Sequence, residues 1–176
     1  MAKDKQAKPK KKVKIIMEES NKQVLISYNW TQKDKAKTIS NYLRSKNVLV
    51  WIDMELMEEK ASEKVAEAIE ESSVILVFLS SKYQDSQVCK REIEYAVKEQ
   101  KDIIWILAEE NYKPNGWLGM LIGNKSSYNP WKNELFNEQL FLPIISQITK
   151  FFNQPQTSVP QIQEKEQGEK KKKIES

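Results

Sequence analysis

Histidine is absent from this 176-residue chain, and cysteine occurs once, as Cys89. Without histidine there is no Ser-His-Asp triad, no Cys-His pair and no His-ligated zinc. One cysteine forms neither an internal disulfide nor a Cys-x-x-Cys site. Glycine is nearly as scarce: Gly116, Gly119, Gly123 and Gly168 cannot be written as a G-x-G-x-x-G turn or a Walker loop. Any nucleotide must therefore be held without those phosphate-cradling loops. No apolar run approaches the roughly 20 residues of a membrane span, and no apolar segment follows the lysine-rich start as it would in a secretory signal. These absences remove most common hydrolase designs and point to a reducing, cytoplasmic setting.

The chain carries a net charge of +4 and a pI near 8.9, but the charge is unevenly spread. Residues 1–14 hold seven Lys and one Asp, and residues 153–176 hold five Lys and four Glu. Removing those contributions of +6 and +1 from +4 leaves residues 15–152 at −3. The basic pI thus belongs to the ends, and the central part offers no nucleic-acid platform. Lys, Gln, Glu and Pro dominate both ends, a composition that buries too little apolar surface to offset chain entropy. The expected organisation is a disordered basic tail over 1–21, one domain over 22–152, and a disordered charged tail over 153–176. Lys8-Pro9-Lys10-Lys11-Lys12-Val13-Lys14 resembles a nuclear-localisation or polyanion-binding cluster. A solvated tail is the simpler reading, with nuclear entry through it as the alternative.

Within the central part, Gln23 to Tyr28, Val48 to Ile52, Val74 to Leu79 and Ile103 to Leu107 are short, β-branched and aromatic, with little alternation. Such runs suit strands covered on both faces. Helical patterns lie between them, marked by Ala36, Ile39, Tyr42 and Leu43, then Val65, Ala66 and Ile69, then Cys89, Ile93, Ala96 and Val97. Repeated strand-helix units predict a parallel α/β sheet. A weak strand is expected around Ser127 to Asn129, followed by a closing helix from about Asn133 to Phe152, which Pro143 should kink or split.

The segment from Ser80 to Ala96 (SSKYQDSQVCKREIEYA) is the most informative. At about 100° per residue, Glu92 lies roughly 85° from the centre of the apolar stripe of its helix. That makes it a boundary carboxylate on a helix that directly follows a buried strand.

Five segments in order resemble the Toll/interleukin receptor (TIR) domain: Val24 to Tyr28 (VLISY); Val50 to Asp53 (VWID) with Glu55 and Met57; Val77 to Ser80 (VFLS); Tyr83-x-x-Ser86-x-x-Cys89-x-x-Glu92; and Gly116 to Gly119 (GWLG). The resemblance implies a flavodoxin-like three-layer sandwich with a five-stranded parallel sheet of order 2-1-3-4-5. Ligands of such sheets bind beyond the carboxyl ends of the strands at the switch point, here Ser27 to Trp30 and Ser80 to Tyr83. Response-regulator receivers share the strand order, but Ser27-Tyr28 and Ser80-Ser81 stand where they carry acidic residues, which disfavours phosphoacceptor chemistry.

The TIR family contains enzymes that cleave NAD+ at the nicotinamide-ribose bond and scaffolds that only assemble receptor complexes, and fold alone does not choose between them. In the enzymes, the glutamate of the Ser-x-x-Cys-x-x-Glu pattern is catalytic, which carries over to Glu92. An aromatic residue near the end of the second strand faces nicotinamide, which points to Trp51. Ser27, Tyr28, Ser80, Tyr83 and Ser86 complete the expected substrate site. NAD+ enters as substrate, with no cofactor and no metal. The loop after Asp53 takes part in head-to-tail assembly in the family, so Asp53, Leu56 and Met57 are the expected interface with other TIR domains, of the same or another chain. That loop lacks the usual Gly or Pro near its tip and is acidic and helix-prone. Each residue also has a structural alternative: Glu92 as a surface charge paired with lysine, Trp51 as core, Cys89 as a small buried hydrophobe, and Ser86 as a helix cap.

Overall fold

The computed structural model describes residues 22–53 and 61–153. The expectations for residues 1–21, for Leu56 and Met57, and for the chain beyond Asn153 lie outside the described residues. Five parallel strands form the central sheet: β1 (Gln23–Ser27), β2 (Leu49–Ile52), β3 (Ser72–Leu79), β4 (Asp102–Leu107) and β5 (Ser127–Tyr128), in the order β2-β1-β3-β4-β5. The crossovers are α1 (Lys33–Ser45), α2 (Ala61–Glu71), the consecutive α3 (Ser81–Asp85) and α4 (Gln87–Lys98), and α5 (Gly116–Ile122). A two-stranded hairpin, β6 (Trp131–Lys132) and β7 (Leu135–Phe136), precedes the last helix, α6 (Glu138–Phe152).

Central β3 is buried along nearly its whole length, as its unbroken apolar run requires. Alternation divides the core into two. Val24, Ile26, Leu76, Phe78 and Ile106 pack against α1 and α6, whereas Leu25, Ile75, Val77 and Trp105 pack against α2 and α4. Ser27 and Trp51 share the second face, because Leu25 pairs with Trp51 and Ser27 follows Leu25 by two residues. With few glycines to supply left-handed backbone, the chain uses other residues. Asn47 (φ 60°) and Gln100 (φ 55°) close α1 and α4, each with the following amide bonded back into the last turn, Val48 N to Leu43 O and Lys101 N to Ala96 O.

Two local expectations are corrected, and of the two outcomes expected at Pro143 the split is not found. Val97, placed in the apolar stripe of α4, is 43% exposed, and the buried stripe is Cys89, Ile93 and Ala96. Removing Val97 moves the stripe's centre by roughly 20° toward Glu92, which makes that carboxylate more enclosed than a boundary position implies. Leu135 and Phe136 belong to the hairpin and not to the closing helix. Asn133 and Glu134 both have positive φ, the turn geometry that reverses two strands over two residues, and Asn137 caps α6 afterwards. Pro143 lies inside α6 without splitting it. The carbonyl that loses its partner belongs to Gln139, on the exposed side where water can take the bond.

Candidate active site

Two helix caps set the site. Ser80 accepts a hydrogen bond from the Tyr83 amide (3.1 Å) and starts α3, which turns the Tyr83 ring into the core. Ser86 accepts from the Cys89 amide (3.2 Å) and starts α4, with Cys89, Ile93 and Ala96 facing the sheet. Glu92 is thereby directed toward the carboxyl end of β1. Its Oε2 lies 3.5 Å from Ser27 Oγ, which in turn lies 2.8 Å from the Tyr83 phenol oxygen.

A cavity of about 220 Å³ opens at this point, over the carboxyl ends of β1 and β2. Ser27, Tyr28, Trp51, Ser86 and Glu92 line it, and so does Asp53. Ser80 and Tyr83 do not. Ser80 is spent on its cap, and Tyr83 is fully buried behind the wall, hydrogen-bonded to the lining residue Ser27. Asn29, Trp30, Val88 and Cys89 also line the cavity. Asn29 and Trp30 belong to the switch-point segment, so their position after the first strand was the signal for them. Nothing local marks Val88, which is exposed by the rotation of α4. Tyr28 donates its hydroxyl to the Asp53 carbonyl, tying the end of β1 to the end of β2.

Burial pushes the Glu92 carboxyl up to about 7, and the nearby Asp53 charge adds to the rise; the Ser27 hydroxyl and Arg91 pull the other way. The lysine-paired surface role does not describe it: Lys90 pairs with Glu94 instead (3.9 Å). Burial raises the Cys89 thiol to about 11, which disfavours the thiolate that a nucleophile needs. Burial likewise raises Tyr28 to about 12, with Asp53 contributing. Among the described residues, no three His, Cys, Asp or Glu side chains converge as a metal site. No described helix is long and apolar enough to cross a membrane.

A sequence model of the TIR domain matches residues 24–140. The chain therefore belongs to the TIR domain family. Among solved structures, it resembles the TIR domain of the Toll-related receptor TRR-2 from Hydra magnipapillata, with a TM-score of 0.57 and 16% identity over 72% of this chain and 97% of that one. It also resembles a chain of the RPS4 and RRS1 TIR domain heterodimer, with a TM-score of 0.55 and 13% identity over 74% and 96%. At these identities the likeness concerns the fold. No curated protein matches the sequence.

Proposed function

We propose that this TIR domain cleaves NAD+ at the nicotinamide-ribose bond, releasing nicotinamide and ADP-ribose or a cyclised form. The observation that carries this reading is the cavity itself: Glu92 and Asp53 line it together with Trp51 and Trp30, and among the described residues no lysine or arginine does. Such a lining favours a flat cation over an anion, and the pyridinium of NAD+ is one. The cavity is smaller than the roughly 300 to 1,000 Å³ of ordinary ligand pockets, so it suits the nicotinamide-ribose end, with the rest of the dinucleotide outside.

The chemistry needs one carboxylate. Nicotinamide bound as a pyridinium departs neutral, so no general acid has to protonate it, unlike the alkoxide of an ordinary glycoside. Ionised Glu92 stabilises the positive charge that grows on the ribose as the bond breaks, and the enclosed setting strengthens that attraction. Trp51 offers its ring to the nicotinamide.

The test is incubation of the full chain with NAD+ across pH, at high protein concentration, with nicotinamide measured directly. Because the working form is the anion and the group titrates near 7 in the free protein, kcat/KM should rise about tenfold per pH unit below 7 and level off above it. Absence of nicotinamide at pH 8 sinks the reading, and a flat profile removes Glu92 from it.

A second reading is a scaffold that acts in signalling by binding other TIR domains. Trp30 and Val88, each 54% exposed, border the cavity mouth and give it an apolar rim. The RPS4 and RRS1 domains form a heterodimer with each other. On either reading, Leu56 and Met57 are the proposed apolar anchors of self-association. Leu56→Asp combined with Met57→Asp should lower particle size in light scattering and reduce turnover in parallel, with the melting temperature little changed. A strictly monomeric double mutant of full activity would show that the site is complete within one chain.

A further inference from the structure

The hydroxyls of Tyr83 and Ser27 run in sequence to Glu92, and proton counting gives that chain a direction. Serine has one proton to donate and an ionised carboxylate can only accept. When Ser27 donates to Glu92 Oε2 (3.5 Å), the 2.8 Å contact behind it must be Tyr83 donating to Ser27 Oγ. Every hydroxyl proton then has an acceptor. Protonation of Glu92 weakens this order: Ser27 then donates to a neutral carboxyl oxygen in place of a charged one, and where the acid proton points instead at Ser27 Oγ, one of the two hydroxyl protons is left without an acceptor. Tyr83 is fully buried, and among the described residues its hydroxyl meets no acceptor other than Ser27. A buried donor left without an acceptor is disfavoured.

We propose that Tyr83 and Ser27 form a buried hydroxyl relay that orients Glu92 and favours its ionised form, which makes both positioning residues for the chemistry of this site. The catalytic meaning of the relay rests on the glycohydrolase reading; the relay itself does not.

The surroundings fit that role. Tyr83 is held well above 10, mainly by burial, so it keeps its proton and remains a donor. Opposing the relay are the burial of Glu92 and the Asp53 charge from the end of β2. Arg91 on the same helix works with the relay. Cys89 and Tyr28 stay neutral at physiological pH, and the described part of α2 offers the cavity only Val65. The 3.5 Å contact is long for a hydroxyl-carboxylate bond, as catalytic contacts are in the absence of substrate. The relay also accounts for Ser80, whose cap aims the Tyr83 ring at Ser27.

The test is a titration of the Glu92 carboxyl carbon by 13C NMR in the full chain, its resonance assigned by loss in Glu92→Gln. Tyr83→Phe, which removes one oxygen and keeps the ring, should move the midpoint up by about half a pH unit or more. Ser27→Ala should move it further, and Ser27→Thr, which keeps the hydroxyl, should restore it. The pH profile of kcat/KM for each variant should shift by the same amount as its titration. An unchanged midpoint in Tyr83→Phe overturns the relay, and this variant decides the matter even where Ser27→Ala does not fold. A midpoint that moves in a chain releasing no nicotinamide upholds the relay and overturns only the glycohydrolase reading.

Discussion

Glu92→Gln should lose nicotinamide release by at least about a hundredfold while making the protein more stable at pH 8. The loss follows because glutamine keeps the shape of the side chain but not the charge that steadies the developing cation. The gain follows from linkage. Glu92 titrates near 7 in the folded chain against an ordinary value of 4.5, so the folded state binds the proton more tightly than the unfolded one. Stability falls as pH rises from 4.5 through 7, and the full penalty, about 3 kcal/mol, is present above 7. The glutamine variant escapes it. Melting curves followed by circular dichroism should put the variant several degrees above the parent at pH 8, with the two converging at pH 4. Equal melting temperatures at pH 8 would mean that Glu92 is not held in an unfavourable setting. An inactive variant that melts lower would indicate a structural role instead.

Phe141→Ala should do the reverse. Phe141 is fully buried on the sheet face opposite the cavity, with ring centroids 5.4 Å from Tyr42 and 5.5 Å from Phe136. Its removal opens a void among three elements, α1, β7 and α6, and should cost about 3–4 kcal/mol. In a domain of this size that lowers the melting temperature by roughly 10 °C. Turnover per folded molecule at 15 °C, and the Glu92 titration, should stay as in the parent, because the cavity draws mainly on the other core through Leu25, Trp51, Val65 and Cys89. A fall in turnover per folded molecule would show that the two faces of the sheet are energetically coupled. Together the two substitutions separate a residue that sacrifices stability for a charged site from one that supplies stability and nothing else.

Much of this was legible in order along the chain. Unbroken apolar runs marked β1 to β4, since a strand covered on both faces has no polar side to show. Their ends fell within two residues of the observed bounds, because solvation changes abruptly where a strand leaves the sheet. The spacing from Tyr83 through Ser86 and Cys89 to Glu92 marked the helix cap, the buried seam and the carboxylate on its edge, all local properties of one helix. The last part of the chain was less legible. Leu135 and Phe136 fit a helical period as well as any pair does. They form a hairpin because Asn133 and Glu134 take up the turn, Lys35 binds Glu134 at 2.5 Å, and the Phe136 ring meets Trp131, Tyr42 and Phe141.

The sequence by itself determined the sheet, its helices and the presence of Glu92 on a rim, since periodicity along a helix or strand encodes which face is buried. Tertiary structure alone decided what surrounds that carboxylate. It brought Asp53 from the end of β2 into the same cavity and turned Tyr83 behind Ser27, 56 residues away in the chain. Burial and a neighbouring charge set where an acid titrates, and both are sums over groups distant in sequence that only packing places side by side.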